Sequence, residues 1–149
     1  MLKNLSENTF VSDSTHERKS KSEESDGFFQ STVKTGKNGE NKACVFLVDS
    51  GYEIIERNWR TRGGELDIIA SKDETLVFAE VKTLPSGNPE ILAHELNERK
   101  QKRITETAKC FLSKHREYSN RKIRFDVLVI DMPEFPPVYH IPNAFSELV

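Results

Sequence analysis

The sequence predicts one α/β domain with the element order αβββαβ and a small C-terminal appendage. Three observations carry this. Apolar residues recur at helical spacing in two separate segments, around residues 43–48 and 104–112. Three short strand-like runs follow one another between them, the last two joined by a tight turn (YEIIERN, ELDIIAS, TLVFAEVKT). A fourth run, IRFDVLVID, comes after the second helical segment. A chain of 149 residues is long enough for one domain with a hydrophobic core.

Residues 1–35 are rich in Ser, Lys, Glu, Asp and Thr and poor in apolar residues. Such a segment buries too little surface to offset the entropy of ordering, so a disordered tail is expected, followed by a domain over 36–149. A first helix over Gly39–Asp49 would bury Ala43, Cys44, Leu47 and Val48, with Gly51 as its terminator. The three strands follow, with KDE as the turn between the second and third. Pro85, Gly87 and Pro89 then mark a loop. A long helix over Asn97–His115 carries the apolar stripe Ile104, Ala108, Phe111 and Leu112. IRFDVLVID is the most apolar strand and is expected to be central. After Pro133, Pro136 and Pro137, VYHI suggests an edge strand and NAFSELV a last helical turn.

No run of about 18 apolar residues is present, so no membrane span is expected. The N-terminus lacks an apolar signal core, which points to the cytoplasm. Cys44 and Cys110 lack metal-type spacing and fit reduced core thiols in that compartment.

The strands also hold charges. Side chains alternate along a strand, so Leu76, Phe78, Glu80 and Lys82 share one face, and Val77, Ala79 and Val81 the other. Glu80 and Lys82 stand roughly 6–7 Å apart at the base. A hairpin between the second and third strands brings Asp67 near Glu80. Two close carboxylates repel unless a cation or proton intervenes. A hard divalent cation, Mg²⁺ or Mn²⁺, suits oxygen ligands and retains water for chemistry. Lys82 would then orient or deprotonate a water, or neutralise charge on a phosphate. Glu40 precedes Ala43, Cys44 and Leu47 by three, four and seven residues, which places a carboxylate on the core-facing stripe near the start of the expected helix. Two readings of Glu40 stay open: attraction to the helix N-terminus, or a place in the pocket of Asp67 and Glu80. The competing reading of the whole set is ordinary salt bridging, Glu80 with Lys82 on an exposed face and Asp67 in a turn.

An Asp, twelve intervening residues, then Glu-x-Lys on adjacent strands, after a helix bearing Glu, resembles the restriction-endonuclease-like superfamily, the PD-(D/E)xK nucleases. The arrangement is similar to that of the archaeal Holliday-junction resolvases. GKNGENKACVFLVDSGYEIIERNWRTRGGELDIIASKDETLVFAEVKT, the basic helix, RFDVLVI and HIPNAF resemble the YraN family of uncharacterised bacterial proteins over about residues 36–145. The resemblance implies a restriction-endonuclease-like α/β fold, with a mixed central sheet flanked by helices. It implies Mg²⁺-dependent phosphodiester hydrolysis in DNA, possible substrates including branched or repair intermediates, with RNA left open. It assigns catalytic roles to Glu40, Asp67, Glu80 and Lys82 and metal binding to Asp67 and Glu80, in a site at the sheet's edge. The resolvase likeness implies a homodimer. Leu84 departs from the pattern, since relatives often carry a basic residue there. The rival class is a non-catalytic nucleic-acid-binding or adaptor protein that keeps the fold.

The net charge of −2 hides a strong asymmetry. Asn97–Arg124 holds ten Lys or Arg against three acids, so the remainder of the chain is acidic. Arg99, Lys100, Lys102, Arg103 and Lys109 on the long helix are candidate phosphate contacts, or simply a solvated face. Arg60 and Arg62 form a second candidate contact beside Trp59, which either stacks on a base or packs in the core. Arg124 and Asp126 share a strand face and can pair with each other. The four His residues show no metal-ligand spacing.

Overall fold

The computed structural model describes residues 20–146, with side chains from residue 35 onward. The elements are α1 (Ser20–Asp49), β1 (Glu53–Arg60), β2 (Glu65–Lys72), β3 (Thr75–Thr83), α2 (Pro89–Glu95), α3 (Glu98–Lys114), a 3₁₀ turn (Arg116–Tyr118), β4 (Lys122–Ile130) and β5 (Val138–Phe145). The strands form one five-stranded sheet in the order β1-β2-β3-β4-β5. Neighbours are antiparallel except β3 and β4, which run parallel over nine residue pairs. A parallel pair needs a long crossover, and α2 with α3 supply it. The fold is thus the mixed sheet with flanking helices that the sequence predicts, consistent with a restriction-endonuclease-like core.

β3 is the middle strand, and its alternation divides the core. Val77 and Ala79 pack with Ile68, Ala70, Leu128 and Ile130 against Ala43 and Leu47 of α1. Leu76 and Phe78 pack with Ile69 and Phe125 against Ile104, Ala108 and Phe111 of α3. β4 is interior, between β3 and β5, rather than central. A third cluster joins Leu84, Leu92, Val127, Val129 and Met132. Leu84 is therefore a core residue, which accounts for an apolar side chain where a basic one was expected.

Several expectations are corrected. α1 begins at Ser20, well before the expected helix start at Gly39, so Glu40 lies well inside the helix and its N-terminus gives no reason for a carboxylate there. Residues 1–19, and the tail expectation for them, lie outside the described residues. Val48 is exposed, not buried, because it falls off the Ala43–Leu47 stripe. The helix does stop at Gly51, in a left-handed conformation (φ 91°). There the Tyr52 N–H reaches the Leu47 carbonyl and the Gly51 N–H that of Val48.

The segment expected to be a loop contains α2. Asn88 caps it by accepting from the Ile91 N–H at 2.9 Å, and Pro89 occupies the first turn, where its missing N–H costs nothing. NAFSELV does not begin a helical turn: Asn143–Phe145 continue β5, while residues 147–149 lie outside the described residues. The cause is Asp126, fully buried on β4. It takes two hydrogen bonds from Arg124 (2.8 and 2.7 Å), one from His140 Nε2 (2.7 Å) and one from the Asn143 N–H (2.9 Å). Burial alone would raise the Asp126 carboxyl; these donors outweigh it and hold the group below the ordinary range. The buried carboxylate thereby pins β5 past its bulge.

Gly39 sets how closely α1 meets the sheet. It is buried, and a Cβ there would collide with the Thr83 hydroxyl and approach Ile130. Ala normally favours a helix over Gly by roughly 1 kcal/mol. Gly39→Ala is nevertheless expected to destabilise the domain, by roughly 1–3 kcal/mol of overpacking, with partial recovery when Thr83→Ala is added. Urea unfolding of the single and double variants checks this; a Gly39→Ala chain as stable as wild type would show that the contact imposes nothing.

Candidate active site

β2 and β3 pair from Lys72↔Thr75 to Ile68↔Ala79, and there the ladder ends. Asp67 is the next residue. Its carboxylate accepts from the Val81 N–H at 2.8 Å, a donor that continued pairing would have engaged through main chain. β2 also changes its facing here: Ile68 and Ala70 pack toward α1, whereas Leu66 joins the α3 cluster. On β1, opposite, Asn58 adopts a left-handed φ of 52°. The site therefore lies where two inner strands part, not along a lateral sheet edge.

The close approach of α1 at Gly39 brings Glu40 to this point. Glu40, Glu65 and Asp67 each offer a carboxylate oxygen within 4.8 Å of the others. Glu65 escaped the sequence reading. Its position two residues before Asp67 was the available signal, since alternate strand residues share a face, but the superfamily motif does not ask for an acid there. Arg57 restrains α1 from the β1 side, donating to Asn41 Oδ1 at 2.7 Å and standing 3.8 Å from Glu40 Oε2.

Glu80, expected to share a metal with Asp67, lies outside this trio; it is buried, and its charge acts on Asp67. One of its oxygens is 3.2 Å from Lys100 Nζ and 3.7 Å from Lys82 Nζ. Lys82 is also 3.8 Å from Glu95 of α2. The expected Glu80–Lys82 salt bridge thus exists, but on a buried carboxylate and as one link in a larger network. Asp67 bears the cost of the arrangement. Burial, then the Glu80 charge, push its carboxyl up to about 8; the Val81 N–H opposes this, and Glu40 and Glu65 add to it.

The candidate nucleic-acid contacts separate into groups. Arg60, Arg62, Lys100 and Arg103 line one open groove with Thr61, Gly63, Gly64 and Glu65, next to the acids. A Cβ on Gly64 would press on Thr107 and Arg103, so the β1–β2 loop lies directly against α3 and brings the two sets of cations together. Arg99 and Lys102 are exposed outside this lining. Lys109 borders a different hollow, between α3 and β4–β5. Trp59 is partly buried and packs against the α3 cluster, edge-on to Phe111 at 5.3 Å, which favours packing over the stacking role. Cys44 and Cys110 are half-buried free thiols, and burial pushes the Cys44 thiol up.

The profile of an uncharacterised protein family, UPF0102, matches residues 39–130. The chain belongs to UPF0102. This is the YraN family that its motifs resemble. A UPF0102 protein of Treponema pallidum (strain Nichols) is 49% identical over 115 residues, covering 74% of this chain and 91% of the relative. Relatives from Treponema denticola (42% over 123 residues, covering 75% and 95%) and Geobacter metallireducens (43% over 114, covering 74% and 91%) bear the same description. The UPF0102 match spans Glu40, Glu65, Asp67, Glu80, Lys82 and Lys100, and stops before β5.

The raised Asp67 carboxyl has a stability consequence. Below about pH 4 the group is protonated in both folded and unfolded chains. Between there and about 8 the unfolded chain ionises while the folded chain holds its proton, so this contribution to stability falls as pH rises. Asp67→Asn removes the dependence and should stabilise the metal-free protein by about 1 kcal/mol or more at pH 8.5, with little gain at pH 4.5. Melting curves at the two pH values measure it; a pH-independent difference would contradict the buried, charge-crowded carboxyl.

Proposed function

We propose that this UPF0102 chain is a metal-dependent phosphodiesterase acting on nucleic acid, with DNA as the favoured substrate. The observation that carries the reading is the convergence of Glu40, Glu65 and Asp67 beside Glu80 and Lys82, bordered by a groove with four cations. The donor set is all carboxylate, which suits Mg²⁺ or Mn²⁺ rather than a softer metal. The oxygens of Glu40, Glu65 and Asp67 lie within 4.8 Å of one another, close enough for one cation to be shared among them. Asp67 would hold the cation with Glu40 and Glu65, and Glu80, which lies outside that trio and against Lys82 and Lys100, would join directly or through water. A bound divalent cation supplies Lewis-acid polarisation of a phosphoryl oxygen and a more acidic water. Lys82, held between Glu80 and Glu95, is placed to orient that water or to neutralise charge developing on phosphate. Arg60, Arg62 and Arg103 hold the backbone in the groove through phosphates, which read no sequence. No helix among the described residues is long and apolar enough to cross a membrane; a cytoplasmic location, where nucleic acid is accessible, fits the proposed role.

The test is a panel of linear and branched DNAs, with RNA counterparts, incubated with Mg²⁺, Mn²⁺ or chelator. Cleavage should require the metal, and Asp67→Asn or Lys82→Met should reduce it by roughly a hundredfold or more while melting remains cooperative. Undiminished cleavage by both variants would remove the assignment. Metal-independent binding with no cleavage of any substrate would favour the non-catalytic adaptor instead.

A further inference from the structure

Lys100 belongs to two sites at once. Its backbone N–H meets the Asn97 cap at 3.0 Å, which fixes it in the first turn of α3. Its ammonium is 3.2 Å from a Glu80 oxygen, yet the same side chain lines the groove with Arg60, Arg62 and Arg103. Glu80 is almost fully buried (side chain 6% exposed), whereas Lys100 keeps 31% exposure. The lysine is thus the more accessible partner, and the buried acid is the one that depends on a cation. Arg60 repeats the pattern more loosely, 3.3 Å from Glu65 but 72% exposed.

We infer that Lys100 is a shared positioning cation that couples the acid cluster to the groove, so that divalent metal and nucleic-acid phosphate bind cooperatively. This rests on the metal-site reading above. Without metal, the Lys100 ammonium is engaged by Glu80 at the border of the groove and is less available to a phosphate there. A metal held by Glu80 makes that contact redundant and frees Lys100 for a phosphate. A phosphate that attracts Lys100 leaves Glu80 in need of a metal. Because binding linkage is reciprocal, each ligand tightens the other by the same factor. The lysine's aliphatic chain has the length and rotational freedom to make both contacts from one backbone position.

Two measurements on the full chain decide it, neither requiring turnover. Calorimetry reads Mn²⁺ binding to the protein alone. Anisotropy reads binding of a fluorescent phosphorothioate DNA with Mn²⁺ or with chelator. Wild type should bind the DNA at least about fivefold tighter with Mn²⁺, the lower end of usual coupling. Lys100→Met should bind Mn²⁺ alone several-fold more tightly than wild type, because Glu80 has lost the nearer of its two lysines. Its DNA affinity should be equal with Mn²⁺ and chelator, and Lys100→Arg should restore the difference. Circular dichroism confirms that each variant is folded. If Lys100→Met binds Mn²⁺ no tighter and keeps the metal-dependent gain in DNA affinity, while Asp67→Asn loses Mn²⁺, the coupling is wrong and the metal site stands. If folded wild type binds no Mn²⁺ at millimolar concentration, the metal reading and the coupling both fail.

Discussion

A single hydrogen bond organises the candidate site, that of the Val81 N–H to the Asp67 carboxylate. Strand pairing obliges each buried N–H to find an acceptor. By using a side chain for this one, the fold lets β2 separate from β3 one pair beyond Ile68 without stranding a donor. The opening lies at the end of the two inner strands. Carboxylates from β2 and β3, and from α1 above them, are thereby directed into one partly buried space. Close packing at Gly39 and the Arg57 contact to Asn41 hold α1 where Glu40 contributes.

The electrostatics follow from that opening. Acids and cations are segregated along the chain but adjacent in space: α3 and the β1–β2 loop bring Lys100, Arg103, Arg60 and Arg62 against the acids. Glu80 is satisfied by two lysines, whereas Asp67 retains one N–H donor and three acidic neighbours. Asp126, buried even more deeply, shows the contrast. It has an arginine, a histidine and a main-chain donor, and its carboxyl is held low. Two aspartates in one sheet, one buried and one partly buried, thus differ in direction because one is fully partnered and the other is not. Asp126 is partnered as a structural acid is; Asp67 keeps the deficit that the proposed cation would relieve.

Much of the fold was legible because its signals are local. Alternation in TLVFAEVKT separated the two core faces, and the stripe from Ile104 to Leu112 defined α3 to within a residue at either end. α2 was missed although Asn88–Pro89 is a helix start, because a proline reads as a breaker unless its place in the first turn is recognised. The extent of β5 depends on Asp126, a partner that lies seventeen residues upstream of Asn143 and is invisible to local patterning. At the site, spacing brought out Glu40, Asp67, Glu80 and Lys82. Glu65 and the dual position of Lys100 needed three dimensions, since strand separation and helix docking decide them. Trp59 was ambiguous for the same reason: only the packing of Phe111 against β1 decides its place.

The central claim is that Asp67 is a carboxylate kept in deficit by the fold and relieved by a divalent cation. Carbon-13 NMR of its side-chain carboxyl, titrated with and without saturating Mg²⁺, tests this most directly. The account predicts titration near pH 8 without metal and a marked downward shift when metal is present. An Asp67 carboxyl that titrates in the ordinary range near 4, unchanged by Mg²⁺, would contradict it.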